Sequence, residues 1–328
     1  MRHLCRLYLV AALILLSTVR AGADNPKPKT RTFLFTYGAT VTGLTPGKTA
    51  RIWIPTPPVT AEQDAEVVAK DLPGDKRFGH DPVYGNLILS TTAPADKDGK
   101  IALQVTYKVI RREVRTEGKD AILKSESAAR IRRFLQADSK VPIGGKPLEL
   151  LKETTVPMDA LLASRVFYDV VNKHMTYAKD TPGWGNGDAE WACKSGRGNC
   201  SDFHSLFIAL ARSRKIPAKF EMGFPLPEKH GAGEIPGYHC WAWFMPRDKA
   251  WVPVDISEAN KNPKLANYYF GNLTADRVLF TTGRDIELVP RQDGPPLNFF
   301  IYPYVEVDRK PYAADKVQKK FSFKDLDK

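Results

Sequence analysis

Cysteine is scarce in this chain, with four in 328 residues, which excludes a small scaffold held by a disulfide framework. Long apolar runs are scarce too. Beyond Leu7 to Leu16, no stretch approaches the roughly 18 residues a transmembrane helix needs, so no stable membrane span is expected. There is no internal repeat, no low-complexity segment, no zinc-finger spacing and no helix-turn-helix pattern. The composition, 26% charged and 43% apolar, excludes an intrinsically disordered chain. No cofactor is expected.

What the chain has in excess is positive charge: 49 Lys and Arg against 37 Asp and Glu, a formal +12. The basic residues are scattered, at Arg111-Arg112, Arg130 to Arg133, Arg212 to Lys215 and the tail from Arg309. None forms a long block interleaved with aromatics, so a nucleic-acid partner is not expected. The reading is a solvated basic surface with some attraction for anionic envelope polymers.

The first 23 residues have the three-part layout of a secretory signal. Arg2 and Arg6 precede the apolar run, and Ala21-Gly22-Ala23 offers small residues at a cleavage site before Asp24. No cysteine sits at that cleavage site, which argues against a lipoprotein. Cleavage would remove three arginines and no acid, leaving +9, and would place the protein in the periplasm or outside the cell.

After a polar leader, Thr32–Val41, Ala50–Ile54, Asn86–Ser90 and Lys100–Ile110 read as strands separated by Pro and Gly turns. This predicts an antiparallel β-sandwich over residues 24–150, with a short helix at Ser127–Leu135 near its end. The second part, 151–328, changes character. Asp159–His174 carries a helical apolar stripe. Asn199–Lys215 predicts an amphipathic helix with Phe203, Leu206, Phe207 and Leu210 on one face, ended by Pro217. Strands follow at Ala218–Gly223, Tyr238–Met245 and Ala250–Ile256. Five of the six tryptophans fall between Trp184 and Trp251, so any aromatic groove belongs there.

Cys200 stands in the first turn of the predicted helix, after the flexible run Ser195-Gly196-Arg197-Gly198. Unpaired N–H groups and the positive dipole end of a helix favour a thiolate and can hold an oxyanion. His239 and Asp255 lie on two strands joined by a turn-like run. A hairpin centred near residue 247 would pair them directly, letting a carboxylate orient an imidazole towards a thiol. The other reading of Cys200 is a small buried core residue.

Taken together, Gly198-Asn199-Cys200, Ile216-Pro217-Ala218, Tyr238-His239-Cys240-Trp241 and Trp251-Val252-Pro253-Val254-Asp255 resemble the motif set of the transglutaminase-like superfamily. The flanking regions look like its envelope-exported bacterial members. The resemblance implies an α+β protein, the β-sandwich followed by a papain-like transglutaminase core with a C-terminal β extension. In that core Cys200 would be nucleophile, His239 base and Asp255 orienter. It also implies an acyl-thioester enzyme acting on protein or peptide amides, cell-envelope polymers among them. Hydrolysis or transfer would depend on the acceptor. The alternative is a catalytically silent envelope binding or scaffolding module. Calcium dependence is not expected, because no EF-hand loop is present.

Several residues stay open between roles. Trp184 and Trp191 could line a substrate groove, supply an oxyanion donor or pack in the core. Cys193 and Cys240 could form a disulfide in an oxidising compartment or remain buried thiols. A zinc site from Cys193, Cys200, His204 and His239 lacks the short Cys pairing of structural sites and is rejected. Cys240, next to His239 on a strand, should face the opposite side from it and so should not serve as a second nucleophile. His204 reads as an ordinary packed histidine and Asp202 as a helix-dipole partner. The run from Phe224 to Gly237 reads as a surface loop or a lid.

Overall fold

The computed structural model describes residues 27–116, 126–246 and 250–326; the signal-like segment 1–23 lies outside them. In chain order the strands begin with β1 (Thr30–Val41), β2 (Thr49–Pro55), β3 (Gln63–Asp71), β4 (Asp75–His80), β5 (Leu87–Pro94), β6 (Ile101–Arg112) and β7 (Val114–Arg115). There follow β8 (Thr176–Tyr177), β9 (Arg197–Gly198), β10 (Ala218–Pro225), β11 (Ala232–Ile235), β12 (His239–Phe244) and β13 (Val252–Val254). The last are β14 (Asn272–Leu273), β15 (Arg277–Thr282), β16 (Tyr304–Val307), β17 (Lys310–Pro311) and β18 (Val317–Asp325). The α-helices are α1 (Ala128–Arg133), α2 (Ala160–His174), α3 (Ala189–Ser195), α4 (Cys200–Ser213) and α5 (Ile256–Lys261). The molecule is an α+β protein with several antiparallel sheets.

Two five-stranded sheets make the sandwich, in the orders β11-β18-β1-β6-β3 and β17-β16-β2-β5-β4. Alternation builds them. On β1, Phe33, Phe35 and Tyr37 point inward, and on β6 so do Leu103, Val105, Tyr107 and Val109. They share one buried cluster with Ala50, Ile52 and Ile54 of β2. β3 and β4 escape sequence reading for a physical reason. Both are outer strands, charged and mostly exposed, so no apolar period marks them.

The division expected near residue 150 does not separate these sheets. β18 pairs with β1 from Phe33↔Asp325 to Val41↔Val317, and β16 pairs with β2. Buried Arg31 fastens the join: it donates to both oxygens of Asp325 (2.8 and 2.9 Å), to Asp276 (2.6 Å) and to the Pro227 carbonyl (2.7 Å). The expected lid is pinned as well, because its residues 232–235 are β11, hydrogen-bonded to β18.

The rest of the chain is built on the sheet β13-β12-β10-β15 and on α4. Every residue of α4 from Cys200 to Arg212 is buried, where an amphipathic helix was expected. The cause is enclosure: β10 and β12 pack on one side, and α2, α3 and α5 on the others. Arg212, read from sequence as surface charge, is buried at the end of this helix. It donates to Asp138 (2.6 Å) and to the carbonyls of Gln136 and Ala218. Arg31, Arg111, Arg277 and Arg284 are buried too, so part of the basic excess is interior.

Candidate active site

Cys200 is the first residue of α4, and the residues around it explain its placement. The Asn199 side chain caps the helix by accepting from the Ser201 N–H at 2.9 Å. Asp202 accepts from the Asn199 N–H at 2.9 Å, closing a capping box. The same carboxylate takes the N–H groups of Gly185 (2.7 Å) and Gly187 (2.9 Å), which ties the preceding loop to the helix start. A Cβ at Gly198 would collide with that carboxylate, so glycine is needed there for close approach. Asp202 is therefore a loop clamp as well as a dipole partner. Burial pushes it up to about 6 against these donors.

His239 opens β12. Its Nε2 lies 2.8 Å from Asp255 Oδ2, which leaves the other ring nitrogen free, and its charge acts on the neighbouring Cys200. Cys200, His239 and Asp255 are thus brought together, all buried. The register differs from the expected one. Ala242 pairs with Val254, Trp243 with Pro253 and Phe244 with Val252, so the hairpin is centred one residue later and 239 is not opposite 255. Moving the centre by one residue changes each pairing by two, which keeps both residues on one face. The ladder ends at Val254, and Asp255 then caps α5, with Oδ1 accepting from the Glu258 N–H and Ser257 Oγ, both at 3.2 Å.

Charge arranges the three ionisations. Burial alone would lower the His239 imidazolium, but the Asp255 carboxylate and the bonds to Asp255 and Cys200 push it up to about 10. Burial opposes ionisation of Cys200, yet hydrogen bonds with Cys240 and His239 and the His239 charge hold its thiol well below the usual range. Asp255 is held far below the carboxylate range: burial is outweighed by His239 and by Arg277, whose Nη1 donates to Oδ2 at 3.0 Å. Both shifts favour a thiolate beside an imidazolium, a pair chemically suited to attack a carbonyl and then protonate a leaving amine.

Sequence reading missed several supports. Arg277 carries no local motif, being 22 residues from Asp255, and only the sheet brings it there. His204 does more than pack. Its Nδ1 is 2.8 Å from the Cys200 carbonyl, and its Nε2 accepts from the Ile256 N–H at 3.1 Å, strapping the start of α4 to the start of α5. Burial lowers its pKa, and both bonds fit the neutral ring. The Tyr238 hydroxyl accepts from Asn199 Nδ2 at 2.9 Å and lies 3.1 Å from Ser201 Oγ, beside the nucleophile's turn.

The remaining candidates are placed as follows. Trp241, Trp243 and Trp251 are fully buried core and line no groove. Trp241 and Trp243 both donate to Glu221, at 2.8 and 2.6 Å. Trp184 stands 39% exposed near Lys179, and Trp191 packs half-buried on α3. Cys193 and Cys240 are not joined: Cys193 Sγ donates to the Lys146 carbonyl at 3.3 Å, and both are free thiols. Cys240 lies on the side of β12 against which α4 packs, with its Sγ 3.8 Å from Ser201 Oγ and from His204 Nδ1, beside the turn that carries Cys200. His239, Asp255 and Glu258 bring three possible metal-ligand atoms within 4.8 Å. Asp255 Oδ2 in that group is already held by His239 and Arg277, and Glu258 by Lys261 at 2.6 Å, an arrangement suited to orienting an imidazole.

The model of the transglutaminase-like superfamily matches residues 150–256, a span that includes Cys200, His239 and Asp255. Those residues form a transglutaminase-like domain. An uncharacterised protein of Haemophilus influenzae is 30% identical over 234 residues, covering 58% of this chain and 63% of the relative. The chain thus spans less than two thirds of that relative's length. Among solved structures, one from Cytophaga hutchinsonii described as a "putative cysteine protease" aligns with a TM-score of 0.51 at 16% identity. The alignment covers 91% of this chain and 100% of that one, a likeness of the whole fold, sandwich included. The periplasmic domain of TgpA from Pseudomonas aeruginosa aligns with a TM-score of 0.41 at 12% identity, covering 74% of this chain and 91% of that one. The transglutaminase-like domain is therefore the part in which chemistry is to be sought.

Proposed function

We propose that this protein is an exported thiol enzyme that cleaves or transfers amide acyl groups through a thioester on Cys200. The observation that carries the reading is the buried line from Cys200 through His239 to Asp255, at 2.8 Å in its second link. The Cys200 thiolate attacks the amide carbonyl, and the oxyanion forms at the N-terminal turn of α4, where the helix dipole is positive. His239 gives its proton to the departing amine and Asp255 keeps the ring aligned, leaving an acyl-thioester. Water then gives hydrolysis, and a second amine gives transfer. Hydrolysis is the favoured outcome, water being the acceptor in greatest supply. Export rests on the signal-like segment 1–23.

A thiol-directed electrophile tests the thiolate. Iodoacetamide should label Cys200 of the native protein rapidly, and His239→Ala should abolish the fast phase. An inert Cys200 in the folded protein would overturn the enzyme reading. Incubation with a cell-envelope extract, followed by mass spectrometry, separates the outcomes. New cleavage products mean hydrolysis, cross-linked masses with ammonia release mean transfer, and retention of an unmodified partner means a binding module.

A further inference from the structure

The nucleophile has a neighbour that acyl transfer does not use. Cys240, the second residue of β12, is fully buried, with its Sγ 3.8 Å from both Ser201 Oγ and His204 Nδ1, side chains of the turn of α4 that begins at Cys200. Both thiols sit on rigid elements, one on the first turn of α4 and one on the sheet below it. We propose that Cys200 and Cys240 form a redox-active dithiol, in which a peroxide oxidises Cys200 and Cys240 then closes onto it as a disulfide that reversibly masks the nucleophile.

The chemistry balances in two steps. The Cys200 thiolate attacks one peroxide oxygen, the O–O bond breaks, and hydroxide leaves as water with the proton of the His239 imidazolium, giving a sulfenic acid. The Cys240 sulfur then attacks the Cys200 sulfur. The S–O bond breaks, and the leaving hydroxide departs as water with the Cys240 proton. Both sulfurs are oxidised to the disulfide and the peroxide is reduced to two waters.

The order of events is set by charge. Burial and the neighbouring Cys200 anion hold the Cys240 thiol well above its usual range, so Cys240 is not the first to react. A sulfenic acid carries no such charge, and forming it removes the anion that keeps Cys240 protonated. Cys193 is the internal control. It is also buried and free, but it bonds to the Lys146 carbonyl away from the pair.

The proposal rests on the reading of Cys200 as a reactive thiolate, and the experiment keeps the two apart. Iodoacetamide is first applied to the reduced full-length protein; failure to label Cys200 overturns the enzyme reading. A second sample receives hydrogen peroxide, is denatured in excess alkylating agent and is mapped by peptide mass spectrometry. The expected result is a Cys200–Cys240 cross-linked peptide, with Cys200 labelling lost and restored by dithiothreitol. In Cys240→Ser, peroxide should instead drive Cys200 to sulfinic and sulfonic acids that dithiothreitol does not recover. Cys193→Ser should still form the cross-link. The dithiol is overturned if wild-type Cys200 over-oxidises as fast as in Cys240→Ser. A disulfide through Cys193, or Cys200 and Cys240 both free after peroxide, overturns it equally.

Discussion

Arg277 shows how much of this site depends on a residue with no motif of its own. It shares Asp255 Oδ2 with His239, both ions are buried, and its guanidinium lies 4.8 Å from the Trp241 ring centre. Arg277→Met would take one of two cationic partners from a buried carboxylate and should cost about 3 kcal/mol in chemical denaturation, with Arg277→Lys recovering part of it. The pH profile of turnover gives a second test. Deprotonation of His239 should set the alkaline limb near its raised value of about 10, and the acid limb should fall well below the usual thiol range. The sign for Asp255 runs the other way. A depressed carboxylate stabilises the fold above its unfolded value of about 3.9, and that contribution fades only as the pH drops towards the lowered one. An alkaline limb near 7 would show that Asp255 does not govern the imidazole. At this scale Cys200, His239 and Asp255 were legible in the sequence because each lies in a short motif. Arg277 and Cys240 were not, because a partner 22 residues away and the face on which α4 packs are tertiary facts.

At the scale of the element, the start of α4 is where sequence and chemistry meet. Asp202→Ala would leave the N–H groups of Gly185, Gly187 and Asn199 without their acceptor. A loss of at least about 1–3 kcal/mol is expected in thermal or urea unfolding, with faster hydrogen exchange at those three amides. Unchanged exchange there would remove Asp202 from its role as loop clamp. His204→Phe keeps the ring volume but loses both bonds, at the Cys200 carbonyl and the Ile256 N–H. It should slow Cys200 alkylation more than it lowers the melting temperature, since it unties the Asp255 end of the triad. Helix starts of this kind are readable in advance, because Gly-Asn-Cys-Ser-Asp encodes the cap and its acceptor. The hairpin register was less readable. Alternation fixed which face His239 and Asp255 share, but not which residues lie opposite, and the ladder runs one residue later than symmetry about 247 suggests.

At the scale of the whole molecule, the positive charge proves to be partly structural. Arg212 with Asp138, and Arg31 with Asp276 and Asp325, are interior ties between distant segments. Composition alone could not distinguish them from solvated arginines. Asp138→Ala should therefore destabilise the protein by about 3–5 kcal/mol in urea unfolding, which no surface ion pair would do. The inner strands β1, β2, β5 and β6 of the sandwich were legible in the sequence, whereas exposed β3 and β4 and its use of β11, β16, β17 and β18 were not, since charged edges and pairing across the chain leave no local apolar period. That pairing has a consequence in time. A chain is synthesised from its N-terminus, and β1 waits for a neighbour whose Asp325 lies 294 residues beyond Arg31. Until that strand is made, one edge of β1 stays open and β11, four residues before His239, has nothing to pair with. The segment that carries His239 is thus among the last to settle, so a nascent chain holds Cys200 long before His239 can be set beside it.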